Sequence, residues 1–496
     1  MIELTLAEVA AAVGGRLHRA TGAEPVTGTV EFDTRRLTPG SLFVALPGER
    51  VDGHDFAGEA VGAGAAGVLA GRPVDAPAVI AAPATEIPGR AYVLAGDRDG
   101  SGAAVLAALG RLARTVVDRL AAGPAGLTVV GITGSSGKTS TKDLIAALLR
   151  PLGPTVAPPG SFNNELGHPW TALRAGADTR HLVLELSARG PGHVAALCRV
   201  APPRIGVVLN VGSAHLGEFG SRQAIATAKG ELVEALPASG VAVLNADDEL
   251  VAAMATRTAA RVVRFGRGGD VRAESVTVDA TGRASFRLVA PAGAADVRLA
   301  VHGGHQVGNA LAAAAVAFEL GGDVEQIAAG LAAATPVSRW RMEVAESPGG
   351  VTVVNDAYNA NPESVRAALT TLAAMAGATG GRGGRSWAVL GPIGELGEGS
   401  EPAHRELGRL VARMAVDRLV VVGPDAHAMV EGAREHRPNG EESVFVPDVE
   451  AAVALLRDQL RAGDVVLIKA SRAYGLERVA AALLAGEPAV AGGDGR

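Results

Sequence analysis

The sequence predicts an α/β protein of three domains. Its 496 residues exceed what one hydrophobic core usually serves. Short apolar runs of strand length alternate with alanine-rich helical stretches along nearly the whole chain, the pattern of parallel sheets covered by helices on both faces. Composition is that of an ordinary globular protein, with 48% hydrophobic and 20% charged residues. Aromatics make up only 3%, so the cores must be aliphatic and rich in alanine.

Residues 1–100 form the first unit, a small α/β domain. Strand-like runs such as Ser41-Leu42-Phe43-Val44-Ala45-Leu46 alternate there with helical segments such as Phe56 to Ala63. The polar stretch 95–102 reads as a linker or helix entry. Residues 101–335 form the second unit. It opens on a helix over 103–120, then the strand Leu127-Thr128-Val129-Val130, a glycine-rich loop and another helix. Buried-strand signals follow at 181–185, 205–209 and 241–244, which implies a parallel sheet. Residues 270–300 alternate polar and apolar and predict an antiparallel appendage. Residues 336–487 form a third, Rossmann-like unit, with strands at 351–355, 386–390, 418–422 and 464–469. The tail 488–496 is rich in glycine and alanine and is expected to be disordered.

The net charge of −6 argues against a general nucleic-acid binder. The single cysteine, Cys198, excludes an internal disulfide, suits a reducing compartment, and reads as a small buried apolar side chain. The N-terminal residues lack the basic start and apolar core of a signal peptide. No apolar run approaches the ~20 residues that span a bilayer. The chain is expected to be cytoplasmic, without membrane insertion, and a monomer.

Lysine use is the sharpest pointer to chemistry. Four lysines, Lys138, Lys142, Lys229 and Lys469, stand against 42 arginines. Lysine is a compact charge that can lose its proton and react as an amine, whereas arginine stays charged and planar. Lys138 follows Gly131-Ile132-Thr133-Gly134-Ser135-Ser136-Gly137 and precedes Thr139-Ser140. A strand running into such a loop and then a helix presents bare N–H groups and a positive dipole end to an anion. Gly134 and Gly137 allow close approach, Lys138 can reach the outer phosphates, and the Thr139 hydroxyl suits magnesium. The strict Walker A spacing is missed by one residue, since the first glycine is Gly131 and not residue 132. The preceding strand and the Gly-Lys-Thr ending point to a nucleoside triphosphate.

Glu185 ends one predicted strand, and His215 and Lys229 follow the end of another, at the sheet edge where open α/β sheets bind ligands. Glu185 and His215 are candidate magnesium ligands. A lysine cation beside them would repel the metal unless its amine had added carbon dioxide, since a carbamate offers oxygen donors. Taken alone, Lys229 reads better as a helix-surface lysine.

Gly131 to Ser140 resembles the ATP loop of the Mur ligase family, and the resemblance extends over almost the whole chain. Asp33-Thr34-Arg35, with 40–46 and Asp52-Gly53-His54-Asp55-Phe56, looks like that family's uridine-binding first domain. Ser161-Phe162-Asn163-Asn164-Glu165-Leu166-Gly167-His168-Pro169 resembles the substrate loop of the D-alanyl-D-alanine-adding branch. His215 and Lys229 resemble the family's magnesium histidine and carbamylated lysine. His305 and Asn309 resemble its adenine-side motif, and Arg341 the arginine that reaches the nucleotide phosphates. Asp356-Ala357-Tyr358-Asn359-Ala360-Asn361-Pro362 discriminates best, because it lacks the histidine of sister ligases and folylpolyglutamate synthases. Three departures stand out. Trp340 replaces a glycine before Arg341, Pro392-Ile393 replaces an acidic-Met pair, and Ala470 replaces a glycine after Lys469.

The resemblance implies ATP-driven amide formation through an acyl phosphate, between a UDP-N-acetylmuramoyl-tripeptide and D-Ala-D-Ala. It implies ATP contacts at Gly134, Ser136, Gly137, Lys138, Thr139, Ser140, His305, Asn309, Arg341 and Asp356. Two magnesium ions would be held by Thr139, Glu185, His215 and carbamylated Lys229. The substrates would meet Asp33, Thr34, Arg35, Asn163, Asn164, Glu165, Tyr358, Asn359, Asn361, Lys469 and Arg472. The implied catalytic groups are Lys138, Lys229, His215 and Arg341. Two alternatives stay open at this point: another amino-acid ligase of this type or of the folylpolyglutamate-synthase type, and a nucleotide switch without catalysis.

Overall fold

The computed structural model describes residues 1–84, 94, 96–212, 216–379, 384–436 and 442–485, with side chains described in that range except at 216 and 378–379. His215 and the tail 488–496 lie outside the described residues. The fold of the described residues is α/β, built on three sheets with parallel strands, one antiparallel sheet of three, and a two-stranded antiparallel pair, Leu4–Thr5 with Pro25–Val26.

The first sheet runs in the order Arg16–His18, Ala78–Ile80, Gly67–Ala70, Leu42–Val44, Val30–Glu31, antiparallel only at its first pair. The helix expected over Phe56 to Ala63 is split. Asp52 caps a 3₁₀ turn, Gly53–Phe56, by accepting from the His54 amide, and an α-helix, Ala57–Gly62, continues it. The linker-like stretch at 96–102 is the cap of the helix Ser101–Ala122: Asp97 accepts from the amides of Gly102 and Ala103, and Asp99 from that of Ser101. That helix packs on Leu6–Val13 in a core that also takes in Leu182 and Leu184 of the central sheet. The first unit is thereby joined to the second by buried apolar surface, which a free linker would not provide.

The central sheet has the order Arg261–Phe265, Val241–Asn245, Ile205–Val208, Thr128–Thr133, His181–Glu185, Thr155–Val156, all parallel. The chain starts in the middle and winds first to one side and then to the other. The loop after Thr133 therefore lies at the topological switch point, where ligand crevices form. Glu185 is in register with Ile132, and Val208 with Thr133. Helix Lys138–Leu149 packs against Gln306–Glu319, whose Ala312 to Ala315 are almost wholly buried, so an alanine seam does the work that aromatics do elsewhere. The expected appendage is the antiparallel sheet Arg272–Val278, Arg283–Ala290, Gly293–His302.

The third sheet runs Glu343–Glu346, Thr352–Asn355, Val465–Lys469, Ser386–Leu390, Arg418–Val422, Ser443–Val446. Its four predicted strands are present to within a residue at either end. The antiparallel edge strand Glu343–Glu346 was not predicted. It is half exposed and carries two glutamates, so it lacks the apolar run that marks a buried strand.

Candidate functional site

A cleft of about 540 Å³ opens between the C-terminal edges of the central and third sheets. Its floor is the loop after Thr133. Gly137 sits at φ +82°, and a Cβ there would come within 2.6 Å of Asn309 Oδ1, so both the turn and the neighbour demand glycine. Asn210 clamps the loop: its Oδ1 accepts from the Ser136 amide at 2.9 Å, and its backbone oxygen accepts from the Ser135 amide at 3.1 Å. Lys138 Nζ donates to Gly134 O at 2.7 Å, folded over its own loop. Burial lowers the Lys138 pKa, with Arg341 adding to the shift and Glu185 and Glu395 opposing it.

Beside the loop, Glu185 is fully buried at the end of its strand. Its Oε2 accepts from Ser161 Oγ at 3.1 Å, and from Thr139 Oγ1 and Asn163 Nδ2, each at 3.3 Å. Its Oε1 has no partner among the described residues. Lys229 is 3% exposed in the helix Arg222–Glu234, and no described carboxylate pairs with it. Burial, and then the Lys138 charge, hold its pKa well below the ordinary lysine range. Lys229 is therefore no surface lysine, against the reading it invited alone.

The third unit closes the cleft from above. Arg341 Nη2 lies 3.3 Å from Thr139 Oγ1, its guanidinium rests on the Tyr358 ring at 4.3 Å, and its buried Nε has no described partner. Asn361 Nδ2 donates to Ser135 O at 3.2 Å. Lys469 is buried and bonded to Asp356 Oδ2 at 2.5 Å and Asn359 O at 2.8 Å. Asp356 Oδ1 accepts from the Met342 amide at 3.2 Å. Asp356 and Asn359 are thus committed to holding Lys469. His305 sits in the same wall, exposed to the cleft.

The cleft gathers Ser136, Gly137, Lys138, Thr139, Ser140, Asn163, Lys229, His305, Asn309, Arg341, Asp356, Tyr358, Asn359, Asn361, Lys469 and Arg472 from the sequence-predicted set. Gly134 lies at its edge, through the Lys138 bond, and Glu185 lies behind Thr139. Others lie elsewhere. Asp33 caps the 3₁₀ turn Thr34–Arg36 and pairs with Arg35. Asn164 Oδ1 accepts from the Gly167 amide at 2.8 Å. Glu165 points away to His193, Oε1 to Nε2 being 2.7 Å. Lys142 is buried and structural: Nζ bonds Asp143 at 2.5 Å, Pro158 O at 2.8 Å and Ser338 Oγ at 3.2 Å, tying the loop's helix to the entry of the third unit.

Three family domains match in order: Mur ligase family, catalytic domain, over residues 28–96; Mur ligase middle domain, over 132–317; and Mur ligase, glutamate ligase domain, over 340–472. A relative from Mycobacterium tuberculosis, named UDP-N-acetylmuramoyl-tripeptide--D-alanyl-D-alanine ligase, is 56% identical over 505 residues, covering 98% of each chain. The chain belongs to the Mur ligase family. Among solved structures, MurF from Acinetobacter baumannii matches this Mur ligase with a TM-score of 0.83 and 31% identity, covering 97% of this chain and 99% of the other. MurF from Thermotoga maritima in complex with ADP matches at a TM-score of 0.74 and 30% identity, covering 93% and 98%.

Among the residues of the Mur ligase cleft that sequence reasoning passed over are Asn210, Ser161 and Tyr474. Asn210 follows a strand end at the sheet edge, a signal that was available. Ser161 stands in the quoted substrate loop, but its bond to Glu185 depends on a fold-back of 24 residues. Tyr474 had no sequence signal.

Proposed function

We propose that this Mur ligase joins D-Ala-D-Ala to UDP-N-acetylmuramoyl-tripeptide at the expense of ATP. The observation that carries the reading is the meeting of Lys138 and Thr139 from the phosphate loop with Arg341 from the third unit. Full-length relatives that carry this name support it. A carboxylate acylates poorly because its charge is delocalised and its oxygen leaves badly. Transfer of the γ-phosphoryl group to the donor carboxylate gives an acyl phosphate. The dipeptide amine then attacks its carbonyl carbon, loses a proton, and phosphate departs as the amide forms. Phosphoryl transfer of this kind is mostly positioning and charge neutralisation. Lys138 would swing from Gly134 O to the phosphates, while Arg341, held flat on Tyr358, supplies a second fixed cation. The backbone amides of Gly137 and Lys138 would cradle the phosphates, with the hydroxyls of Ser136 and Ser140 beside them, and His305 and Asn309 would line the adenine side.

The orphaned Glu185 Oε1 and the uncompensated Lys229 fit a magnesium site. Thr139, Glu185, His215 and Lys229 as its carbamate would hold two ions, which supply positive charge to the phosphates. A neutral buried amine is the form that adds carbon dioxide, and the lowered Lys229 pKa favours it.

In this reading residues 1–100, through Asp33, Thr34 and Arg35, take the uridine end, and 101–335 take ATP. Asn163, Asn164 and Glu165 lie on the donor's path, although Glu165 would first have to leave His193. Residues 336–487 take the dipeptide, with Tyr358, Asn359, Asn361, Lys469 and Arg472 nearby. Closure over the cleft would keep water from the acyl phosphate. A cytoplasmic monomer acting on small molecules suits this chemistry. No described helix is long and apolar enough to cross a membrane. The test is phosphate release with ATP, magnesium and UDP-muramoyl tripeptide. Release should require D-Ala-D-Ala. Turnover with a single free amino acid and none with the dipeptide would assign the chain to another ligase branch. Nucleotide binding without any turnover would make it a switch.

A further inference from the structure

Arg341 is flanked by two residues in the left-handed region, Trp340 at φ +58° and Met342 at φ +51°. A bulky side chain at such a φ is costly, and glycine adopts it freely. The indole must therefore repay its position through its contacts. Four side chains form a column. The Arg472 guanidinium lies 4.2 Å from the Trp340 ring centre, the Trp340 and Tyr358 rings are 6.4 Å apart and tilted by 32°, and the Arg341 guanidinium lies 4.3 Å from the Tyr358 ring. The Tyr358 amide donates to Trp340 O at 3.2 Å and ties the two ring-bearing segments together. Arg341 and Arg472 both line the cleft.

We propose that Trp340 is a positioning residue, the shelf that holds Arg472 facing the acceptor end of the cleft. The inference rests on the reading of Arg472 as a group that meets the dipeptide. Arg472 is half exposed and, among the described residues, is otherwise restrained by an ion pair with Glu477 at 2.5 Å. The ion pair takes one end of the guanidinium, Nη1, and the Trp340 ring fixes the plane of the group, so that its remaining N–H donors keep one direction. A ring occupies the face of a guanidinium and leaves its edge N–H donors available, which is the geometry a substrate carboxylate needs.

Two measurements test this. In steady-state kinetics, Trp340→Gly should raise KM for the dipeptide on the order of tenfold and leave KM for ATP unchanged, a loss of the size a cation–π contact supports. Trp340→Phe keeps a ring and should stay near wild type. Trp340→Leu replaces the glycine variant if that one does not fold. The second measurement needs no substrate. Trp170 and Trp387 are 0% and 1% exposed, so acrylamide quenching of tryptophan fluorescence reads Trp340. Arg472→Gln should increase quenching by uncovering the indole face. A wild-type dipeptide KM in the glycine or leucine variant, an equal loss in the phenylalanine variant, or unchanged quenching would each overturn the proposal. If the wild-type enzyme shows no dipeptide-dependent turnover, the ligase reading fails by itself, and quenching still decides whether the shelf exists.

Discussion

Lys229 and Lys469 are buried to the same degree, 3% and 2% exposed, on opposite sides of one cleft. Their surroundings differ. Lys469 has a carboxylate at 2.5 Å and a backbone oxygen at 2.8 Å; burial, helped by Arg341, lowers its pKa, and Asp356 opposes the shift. Lys229 has no described carboxylate, and its charged neighbour is another lysine, so burial and repulsion act in the same direction. Equal burial thus meets two electrostatic settings. One lysine is paired and fixes the loop Asp356 to Asn359; the other has no such pairing, which favours its neutral and reactive form. The comparison also explains why an arginine-rich chain kept lysine in both places. A guanidinium cannot lose its proton at Lys229, and its planar fork would not fit between Asp356 Oδ2 and Asn359 O as a single point charge does.

The largest effect that could break this contrast is at Lys229. Lys229→Ala should be nearly inactive in the phosphate-release assay, with small carboxylic acids partly restoring activity. Lys229→Arg should be equally inactive although it keeps the charge. High activity in the arginine variant would return Lys229 to the class of ordinary cations. Next comes Lys138→Ala, which removes transition-state charge stabilisation and should cost about 3–4 kcal/mol, on the order of 10²–10³ in turnover. Near-normal turnover would remove the loop from the chemistry.

Stability should separate the two buried lysines by sign. Lys469→Met strands the Asp356 carboxylate and should destabilise the fold by about 3–5 kcal/mol in denaturant titrations. Adding Asp356→Asn should recover part of that loss. Metal-free Lys229→Met should instead be more stable than wild type at neutral pH, because it deletes an uncompensated desolvation cost. The folded pKa of Lys229 lies below the usual 10.5, so between those two values the unfolded chain binds more protons and wild-type stability rises with pH. The advantage of Lys229→Met should therefore shrink as pH approaches 10.5. A pH-independent difference would contradict a neutral Lys229. The smallest effect is in shape: scattering with ATP and substrates should show modest compaction, since Arg341 of the third unit already reaches Thr139.

The sheets were legible because their strands are continuous apolar runs. His181–Glu185, Ser386–Leu390 and Arg418–Val422 appear at the predicted bounds. Edge elements were not, since Glu343–Glu346 gains its hydrogen bonds from a neighbour and not from its own pattern. The phosphate loop was readable from spacing alone. The partners that give Lys229 and Lys469 their different characters were not, because each pairing depends on residues over a hundred positions apart or on the lack of any partner. Asp356 and Lys469 are separated by 113 positions. Trp340 looked like a departure near Arg341 until its backbone angle and ring contacts gave it a place.

The central claim, that Lys229 is the neutral amine and Lys469 the paired cation, is tested most directly by carbon-13 NMR of the protein equilibrated with ¹³C-bicarbonate and magnesium. A single protein-bound carbamate resonance is expected, lost in Lys229→Ala and retained in Lys469→Met. Absence of the resonance from the wild-type protein, or its persistence in Lys229→Ala, would contradict the account.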